Sequence, residues 1–456
     1  MMSREEAERV LGAAIETAQQ GVDGAECSLV GGTLGVTRFA DNEVHQGTQV
    51  SREVLSIRVI VGDRAARAET SDITMTGLKI AARQARMMAE LMPKPIEPVT
   101  LSAPQNYRAA DDYDADTERA TPLDRMALVG RTIMQAHKEG LRASGYVSTS
   151  FGGLEIGGEI DKPYAIANTR GLFAYHAGTR ASMSVTMQKK GGLSGWADGQ
   201  AFAFGALDAP RIVARAIAKA RLQGEPRELT PGPFTVILEP AAVAGLIGSI
   251  GHNVGASDVA SGRSFMSGRI GEKVSGPQII ISDDVTDLLH RGTPFDSEGV
   301  SKKKVVLIEN GIAKGPVHSL ASARRQGAEP TGHMRQSGIF GDGEGAEHLV
   351  MSGGDQTLET LIKTTPRAIL ITRLWYVRVV DTKKLIVTGV TRDGTFLVED
   401  GRIVMPVRDM RFNVDVLDLL ERVDAMSDVE WASGAVVPGI RANGFPLVAV
   451  VPGSTA

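Results

Sequence analysis

Cysteine is almost absent from the chain, since Cys27 is the only one among 456 residues. A single cysteine excludes a disulfide framework and is typical of a reducing compartment. Long hydrophobic runs are absent too, because no apolar stretch approaches the roughly 20 residues of a membrane-spanning helix. The N-terminal segment MMSREEAERVLGAA is acidic and helical, whereas a signal peptide is basic and apolar. We therefore expect a cytoplasmic protein that binds no membrane.

The chain also lacks a large excess of positive or negative charge, and it lacks nucleotide-binding motifs. The chain has 50 Lys and Arg against 54 Asp and Glu, which gives a net charge of −4 and no basic footprint for nucleic acid. It has no phosphate-binding GxxxxGKS/T loop, and no GxSxG elbow accompanies the serines between Ser257 and Ser267 near His252. What remains, 42% hydrophobic and 23% charged residues, is typical of a soluble globular protein with two or three domains.

The first half of the chain alternates helical and strand patterns. Periodicity predicts helices over residues 3–20, 73–91, 123–139 and 209–222, and strands over residues 25–30, 34–39, 53–61, 143–156, 164–167 and 175–188. Ser71 and Asp72 are candidate N-caps of the second helix. This order predicts an α+β domain in which helices cover one face of an antiparallel sheet.

The second half is predicted to be rich in β-structure. At least seven β-branched or aliphatic runs alternate with turn signals, among them Asn310-Gly311, Asp393-Gly394 and Asp400-Gly401, which favours a barrel or a highly curved sheet. A late helix is predicted over 414–425. The segment GEPRELTPGP separates the halves, so we expect an N-terminal α+β domain over residues 1–228 and a C-terminal β-rich domain over residues 229–456.

A resemblance to a known family is strongest from residue 232 to residue 336, a region that includes the glycine- and serine-rich stretch from Pro240 to Asp284. SGRIGEKV (267–274), DSEGVSKKKVVLIENGIAKG (296–315) and GAEPTGHMRQ (327–336) resemble the TldD/PmbA family, in which PmbA is also called TldE. The early segments RFADNEVHQG and SIRVIVGDRAARAETSD are similar to the family's N-terminal domain. The resemblance covers nearly the whole chain.

The resemblance implies a cytoplasmic protein that acts in a pair as part of a zinc-dependent peptidase. In the TldD type, an HExxxH motif supplies two zinc-binding histidines and a general-base glutamate, and a cysteine near the C-terminus completes the site. Those motif positions fall here on Ile247, Gly248 and His252, within IGSIGH, and residues 431–446 contain no cysteine. Isoleucine cannot ligate zinc and glycine cannot accept a proton. The chain therefore resembles the PmbA (TldE) type, which lacks the zinc site.

Several other side chains are candidates for a site. His252, His333 and His348 are weak metal candidates, each of which is more typical of a hydrogen-bonding residue. Glu344 and Glu347 in GDGEGAEH stand beside His348 and could chelate a cation, although the composition favours a solvated loop.

Two acidic residues remain open between a structural and a functional role. Asp283, followed by Asp284, either caps a turn or takes part in catalysis. Glu272 lies among glycines that let a ligand approach closely, or it forms a salt bridge with a nearby Arg or Lys.

The segment TRLWYVRVVD (372–381) combines arginine with large aromatic residues. Trp375 and Tyr376 are neighbours on a predicted strand and point to opposite faces, so one can pack in the core while the other faces a groove or partner. With Arg373 they are candidates for binding a peptide or a subunit interface. Packing of both aromatic side chains in the core is the alternative.

Taken with the resemblance, these features predict a non-catalytic subunit of a TldD/PmbA-type peptidase for unfolded or modified peptides. It would shape the peptide cavity, pair with a TldD-type subunit that holds the zinc, and need no cofactor of its own. Two alternatives stay open: an independent hydrolase with a metal site rebuilt from His252, His333 and His348, and a homodimeric peptide-binding protein without catalysis.

Overall fold

The computed structural model describes residues 1–95, 99–153, 163–189, 194–222, 225–336 and 343–449. Over these ranges the chain has the predicted α+β architecture, with an antiparallel sheet in the N-terminal half and a closed β-barrel in the C-terminal half. No helix in the described ranges is long and apolar enough to cross a membrane. The two sheets use separate stretches of chain, while the domain boundary at residue 228 stays a prediction.

The N-terminal half contains eight strands and five α-helices within its described part. In chain order these are α1 (Arg4–Ala18), β1 (Gly24–Ala40), β2 (Glu43–Val61), β3 (Arg64–Thr70), α2 (Met75–Leu91), α3 (Ala115–Glu118), α4 (Pro122–Lys138), β4 (Arg142–Gly152), β5 (Pro163–Asn168), β6 (Phe173–Tyr175), β7 (Thr179–Gln188), β8 (Ser194–Ala201) and α5 (Ala209–Ala220). The sheet order is β3-β2-β1-β4-β7-β8, with β5 paired to β1 and β6 paired to β5.

Strand β1 corrects the expectation of two separate strands over 25–30 and 34–39. It runs unbroken through Gly31 and Gly32, whose φ angles are 150° and 153°. A side chain at either position would collide with a carbonyl oxygen of a neighbouring strand. The two glycines therefore allow close strand approach rather than a turn.

The start of α2 also differs from the prediction. Its N-cap is Thr74, whose hydroxyl accepts a hydrogen bond from the Gly77 backbone N–H at 3.3 Å. Asp72 supports this cap, since its carboxylate accepts from the Thr74 N–H at 3.0 Å and the Thr74 hydroxyl at 2.6 Å. Ser71 and Asp72 are therefore not the caps themselves.

The C-terminal half supplies the remaining elements. In chain order these are β9 (Gly232–Leu238), α6 (Pro240–Gly251), α7 (Ala256–Ala260), β10 (Ile281–Asp283), β11 (Val305–Glu309), β12 (Ile312–Ala313), α8 (Leu320–Gln326), β13 (Met334–Arg335), β14 (Gly343–Glu344), β15 (Leu349–Met351), α9 (Leu358–Lys363), β16 (Arg367–Asp381), β17 (Ile386–Glu399), β18 (Arg402–Pro406), β19 (Met410–Asp415), α10 (Val416–Glu421), β20 (Val423–Ala432) and β21 (Ala435–Ala449). The predicted late helix over 414–425 is confirmed only for its central half, α10, and the residues on either side belong to β19, β20 and the turn between α10 and β20.

Five of these strands close into a ring. Strand β9 pairs with β16 in parallel, β16 with β17, β17 with β19, β19 with β21, and β21 returns to β9, all antiparallel except the first. Helix α6 packs against this barrel, and its side chains belong to the same buried core as those of β9, β16 and β21. The barrel and α6 therefore form the frame that positions the candidate site.

Candidate functional site

Helix α6 carries the positions that a zinc-peptidase motif would occupy. Its sequence PAAVAGLIGSIG is apolar on almost all sides, so most of the helix is buried. Ile247 is fully buried in the C-terminal core. Gly248 lies on a more open side, where a Cβ would meet no atom within 4 Å. A core aliphatic side chain and open space thus stand where a metal ligand and a general base would be needed.

His252 caps the C-terminal end of α6. Its Nδ1 accepts a hydrogen bond of 3.0 Å from the Arg335 guanidinium. Desolvation of the ring, and then the Arg335 charge, lower the pKa of His252, although Glu347 opposes this. The imidazole is therefore held neutral, with Nδ1 committed to Arg335 and only Nε2 left for another partner.

Asp283, at the end of β10, is the centre of a buried polar network. Its carboxylate is 3.0 Å from His333 Nε2 and accepts a 2.7 Å hydrogen bond from the His348 backbone N–H. Burial alone would raise the pKa of Asp283, but the His333 hydrogen bond and the charges of His333 and Lys302 outweigh it and lower the pKa. The carboxylate is thus ionised, and it joins segments that lie about 50 and 65 residues away in sequence.

Asp284 has a different role from its neighbour. It accepts hydrogen bonds from the Thr286 N–H at 3.0 Å and the Thr286 hydroxyl at 2.7 Å, and it pairs with Lys304 at 2.9 Å. The turn-capping interpretation therefore suits Asp284, whereas Asp283 holds segments together.

Residues 343–348 of the acidic segment are mostly buried, which corrects the expectation of a solvated loop, and their side chains contact different partners. Glu344 is buried and accepts from the Ser257 N–H at 2.8 Å and the Ser319 hydroxyl at 2.6 Å. Glu347 pairs with the buried Lys302 at 2.9 Å. The His348 ring packs against the His290 ring with centroids 4.8 Å apart and an angle of 39° between the planes. Residues 341–342 of this segment lie outside the described ranges.

The three candidate histidines do not converge on one point. His252 binds Arg335, His333 binds Asp283, and His348 packs against His290. Across the described ranges, no three His, Cys, Asp or Glu side chains are placed to hold a metal ion. The donor set at α6 therefore does not fit zinc.

Glu272 and the aromatic strand lie away from this network. Glu272 is exposed and its carboxylate is 4.0 Å from Arg269 Nε, which suits the salt-bridge interpretation.

Trp375 and Tyr376 are 41% and 46% exposed, so the alternative in which both pack in the core is wrong. Tyr376 has a φ angle of 57°, and a register shift between Trp375 and Arg378 marks a β-bulge.

Arg373 connects this strand to the N-terminal half. Its guanidinium pairs with Asp393 and lies 4.6 Å from the centroid of the Trp196 ring on β8. Beyond Ile371, where pairing with β9 ends, β16 pairs only with β17 among the described strands. This part of β16 is therefore a strand with one open edge, next to α6.

Sequence reasoning missed Lys302 and Arg335. Lys302 stands in the run SKKK, which is typical of a solvated surface, yet its side chain is only 4% exposed. Arg335 borders a glycine-rich turn and gave no signal of contact with His252, 83 residues away. Only the fold brings these cations to the site.

Three family models match the chain in order. They are the PmbA/TldA metallopeptidase domain 1 over residues 25–89, the central domain over 118–223 and the C-terminal domain over 231–448. These matches span most of the chain, which therefore belongs to the PmbA/TldD metallopeptidase family.

Individual relatives show how far the similarity extends. A metalloprotease of Methanocaldococcus jannaschii is 31% identical over 206 residues, which is 44% of this chain and 45% of that protein, so this match spans less than half of either. The metalloprotease PmbA of Escherichia coli O157:H7 is 25% identical over 93% of this chain and 92% of its own length. The crystal structure of TldE from Thermococcus kodakarensis matches the fold with a TM-score of 0.85 at 22% identity, covering 96% of this chain and all of that one.

Proposed function

We propose that this chain is the non-catalytic subunit of a PmbA/TldD-type metallopeptidase that acts on unfolded or modified peptides in the cytoplasm. It shapes the cavity that holds the peptide, and a TldD-type partner subunit supplies the zinc. The observation that carries this proposal is on α6, where Ile247 is buried in the core and Gly248 faces open space.

The proposed contribution to peptide binding comes from α6 and the neighbouring strand. Gly245, Gly248 and His252 lie on one side of the helix, and a Cβ at Gly245 would be 3.8 Å from Leu374 of β16. The same part of β16 has an open edge. An extended peptide can pair its main chain with such an edge while its side chains vary, which suits substrates of differing sequence.

The test is to measure zinc and peptide cleavage in the protein purified alone and after co-expression with a TldD-type subunit. We expect zinc and chelator-sensitive cleavage of an unfolded peptide only in the co-purified complex. His252→Ala in this chain should leave the zinc content of the complex unchanged, because His252 is not a ligand. Replacing the glutamate of the partner's HExxxH motif should abolish cleavage and serves as the control.

Two other results would contradict the proposal in different ways. Stoichiometric zinc and chelator-sensitive cleavage in the lone protein would mean an independent hydrolase. Stable self-association together with indifference to the TldD-type subunit would mean a homodimeric peptide-binding protein without catalysis.

A further inference from the structure

The outer side of the barrel presents a row of side chains across four adjacent strands, three of them exposed and one, Val390, half-buried. Trp375 on β16 pairs with Val390 on β17, Val390 pairs with Arg411 on β19, and Arg411 pairs with Val448 on β21. Residues directly opposite each other on neighbouring strands project to the same face. Val448 is 47% exposed, which is close to the exposure of Trp375. We call this surface the Trp375 face.

Two further arginines lie on the Trp375 face: Arg392 over the Trp375 ring, and Arg378 over the Tyr376 ring with its guanidinium carbon 4.5 Å from the centroid. Arg392 lies with its guanidinium carbon 4.7 Å from the centroid of the Trp375 ring. Arg378 is exposed and pairs with Thr388, one row along the same face from Val390. The Trp375 face therefore combines one aromatic ring and two valines with three guanidinium groups.

These cations are poorly neutralised by the protein itself. Within the described ranges, neither Arg378 nor Arg411 makes an ion pair with a carboxylate. Arg392 is 3.6 Å from Asp393, but that carboxylate already pairs with Arg373. The whole chain carries a net charge of −4. The Trp375 face therefore carries a local excess of positive charge on an otherwise acidic protein.

The composition of the face indicates the chemistry of its partner. Trp and Arg are the residue types that dominate binding energy at protein interfaces. The two valines add apolar area that a phosphate backbone would leave uncovered, which favours a polypeptide over a nucleic acid. A polypeptide segment with carboxylates spaced by an apolar side chain fits both the guanidinium groups and the indole.

We propose that the Trp375 face binds an extended acidic segment of a polypeptide. Carboxylates of the segment pair with Arg378, Arg411 and Arg392, and an apolar side chain covers Trp375 and Val390. This binding goes beyond the proposed peptidase role, because it needs neither zinc nor a TldD-type partner.

The test uses the full chain alone and a fluorescein-labelled peptide of alternating Glu and Leu, with binding followed by anisotropy. We expect the double variant Arg378→Glu, Arg411→Glu to weaken binding by at least about tenfold and to reduce its salt dependence. Trp375→Ala should weaken binding several-fold while the salt dependence stays as in the native protein. The matched control is Arg9→Glu, Arg131→Glu, which reverses two exposed charges on α1 and α4 and should leave binding within about twofold.

Several outcomes would overturn the inference. One is equal binding of an alternating Lys and Leu peptide, and another is tighter binding of a single-stranded oligonucleotide than of the acidic peptide. A third is an Arg378→Glu, Arg411→Glu variant that folds, as judged by its circular dichroism and urea midpoint, and binds as tightly as the native protein. None of these results depends on zinc content, so the peptidase proposal is tested separately.

Discussion

At the scale of single residues, Asp283 contributes most clearly to the candidate site. Its buried carboxylate contacts the imidazole of His333 and the backbone of residues 347 and 348. Removing one partner of a buried charged network costs more than forming the network gains, because the remaining groups are left without compensation. The side chain thus fixes the loop that lies beside the end of α6.

We predict that Asp283→Asn destabilises the protein by about 3 kcal/mol. The amide keeps the shape of the carboxylate but loses its charge, and its NH2 group cannot accept the donated hydrogen bonds. Urea unfolding of both proteins at neutral pH measures the difference. Asp284→Asn is the matched control and should cost about 1 kcal/mol, because the partner of Asp284, Lys304, is exposed to solvent and the charge is only partly desolvated.

The native protein and Asp283→Asn should also differ in how their stability changes at acidic pH. The pKa of Asp283 is lower in the folded state than in the unfolded chain, so its stabilising contribution is complete above the unfolded value of about 3.9 and disappears as the pH falls through the folded value. The stability lost by the native protein below about pH 4 should therefore be smaller in Asp283→Asn. An equal loss in both proteins would mean that Asp283 is not ionised in the network.

The sequence could identify residue types at this scale but not their partners. Asp283 and His333 were both candidates, yet their contact joins positions 50 residues apart, and nothing local in either segment signals it. Lys302 stands in a basic run that is typical of a solvated surface. Its burial depends on the segments that pack over it, which the local sequence does not reveal. The aromatic pair was assigned to alternate faces of a regular strand, and the bulge at Tyr376 exposes both rings.

At the scale of elements, α6 combines tight packing on one side with open space on another. Its glycines differ accordingly. A Cβ at Gly248 would contact nothing within 4 Å, whereas a Cβ at Gly251 would lie 2.7 Å from the carbonyl oxygen of Ala346. This carbonyl belongs to the segment that Asp283 holds in place, so the end of the helix and the loop approach each other through a glycine.

We predict opposite effects of alanine at these two positions. Gly248→Ala should stabilise the protein by about 0.5–1 kcal/mol, because alanine reduces the conformational entropy of the unfolded chain and fits the open side. Gly251→Ala should destabilise it by about 1–3 kcal/mol, because backbone must move to relieve the overlap. Thermal unfolding of the two variants compares them directly, and shifts of the same sign would contradict this description of the helix.

Element prediction succeeded where the pattern was local. The helices α1, α2, α4 and α5 were found within a few residues, since their apolar spacing and caps are in the sequence itself. The helix predicted over 414–425 was too long at both ends, because the apolar residues of α10 continue into strand β20, where pairing with β21 decides the conformation. The sequence likewise did not show whether Gly31 and Gly32 of β1 form a turn or lie within a strand. Their role became clear only from the close approach of the neighbouring strands.

At the scale of the whole molecule, the segment around Glu298 joins the two halves. Ser102 donates a 2.6 Å hydrogen bond to the Glu298 carbonyl, and Tyr107 donates one of 2.7 Å to the Gly299 carbonyl. Burial, and then the charge of Asp296, raise the pKa of Glu298 to about 8. A carboxyl group that favours its neutral form thus lies where the N-terminal half contacts the C-terminal half.

We predict that Glu298 makes the native protein less stable as the pH rises from about 5 to about 8. A carboxyl whose folded pKa is raised stabilises the fold fully below its unfolded pKa, and this contribution disappears as the pH increases through the folded value. Glu298→Gln should reduce this pH dependence and be more stable than the native protein at pH 8.5, by about 1 kcal/mol or more. Urea unfolding at pH 5.5 and pH 8.5 measures it, and unchanged pH dependence in the variant would contradict it.

The overall architecture was predictable in its class but not in its strand order. Turn signals such as Asp393-Gly394 and Asp400-Gly401 indicated many strands and favoured a barrel or curved sheet, and the barrel is confirmed. The order of its strands was beyond reach, because β9 pairs with β16 and β21, which lie far along the chain. Local sequence does not encode such distant partners.

The ring formed by β9 and β21 has a consequence for how the protein is made. The first strand of the barrel leaves the ribosome long before the last, so its edge toward β21 has no strand to pair with while the intervening residues are synthesised. The N-terminal sheet uses strands that end at Ala201 and can form earlier. Truncation within β21 should therefore leave the barrel open and prone to pair with other chains, while the N-terminal sheet can still form.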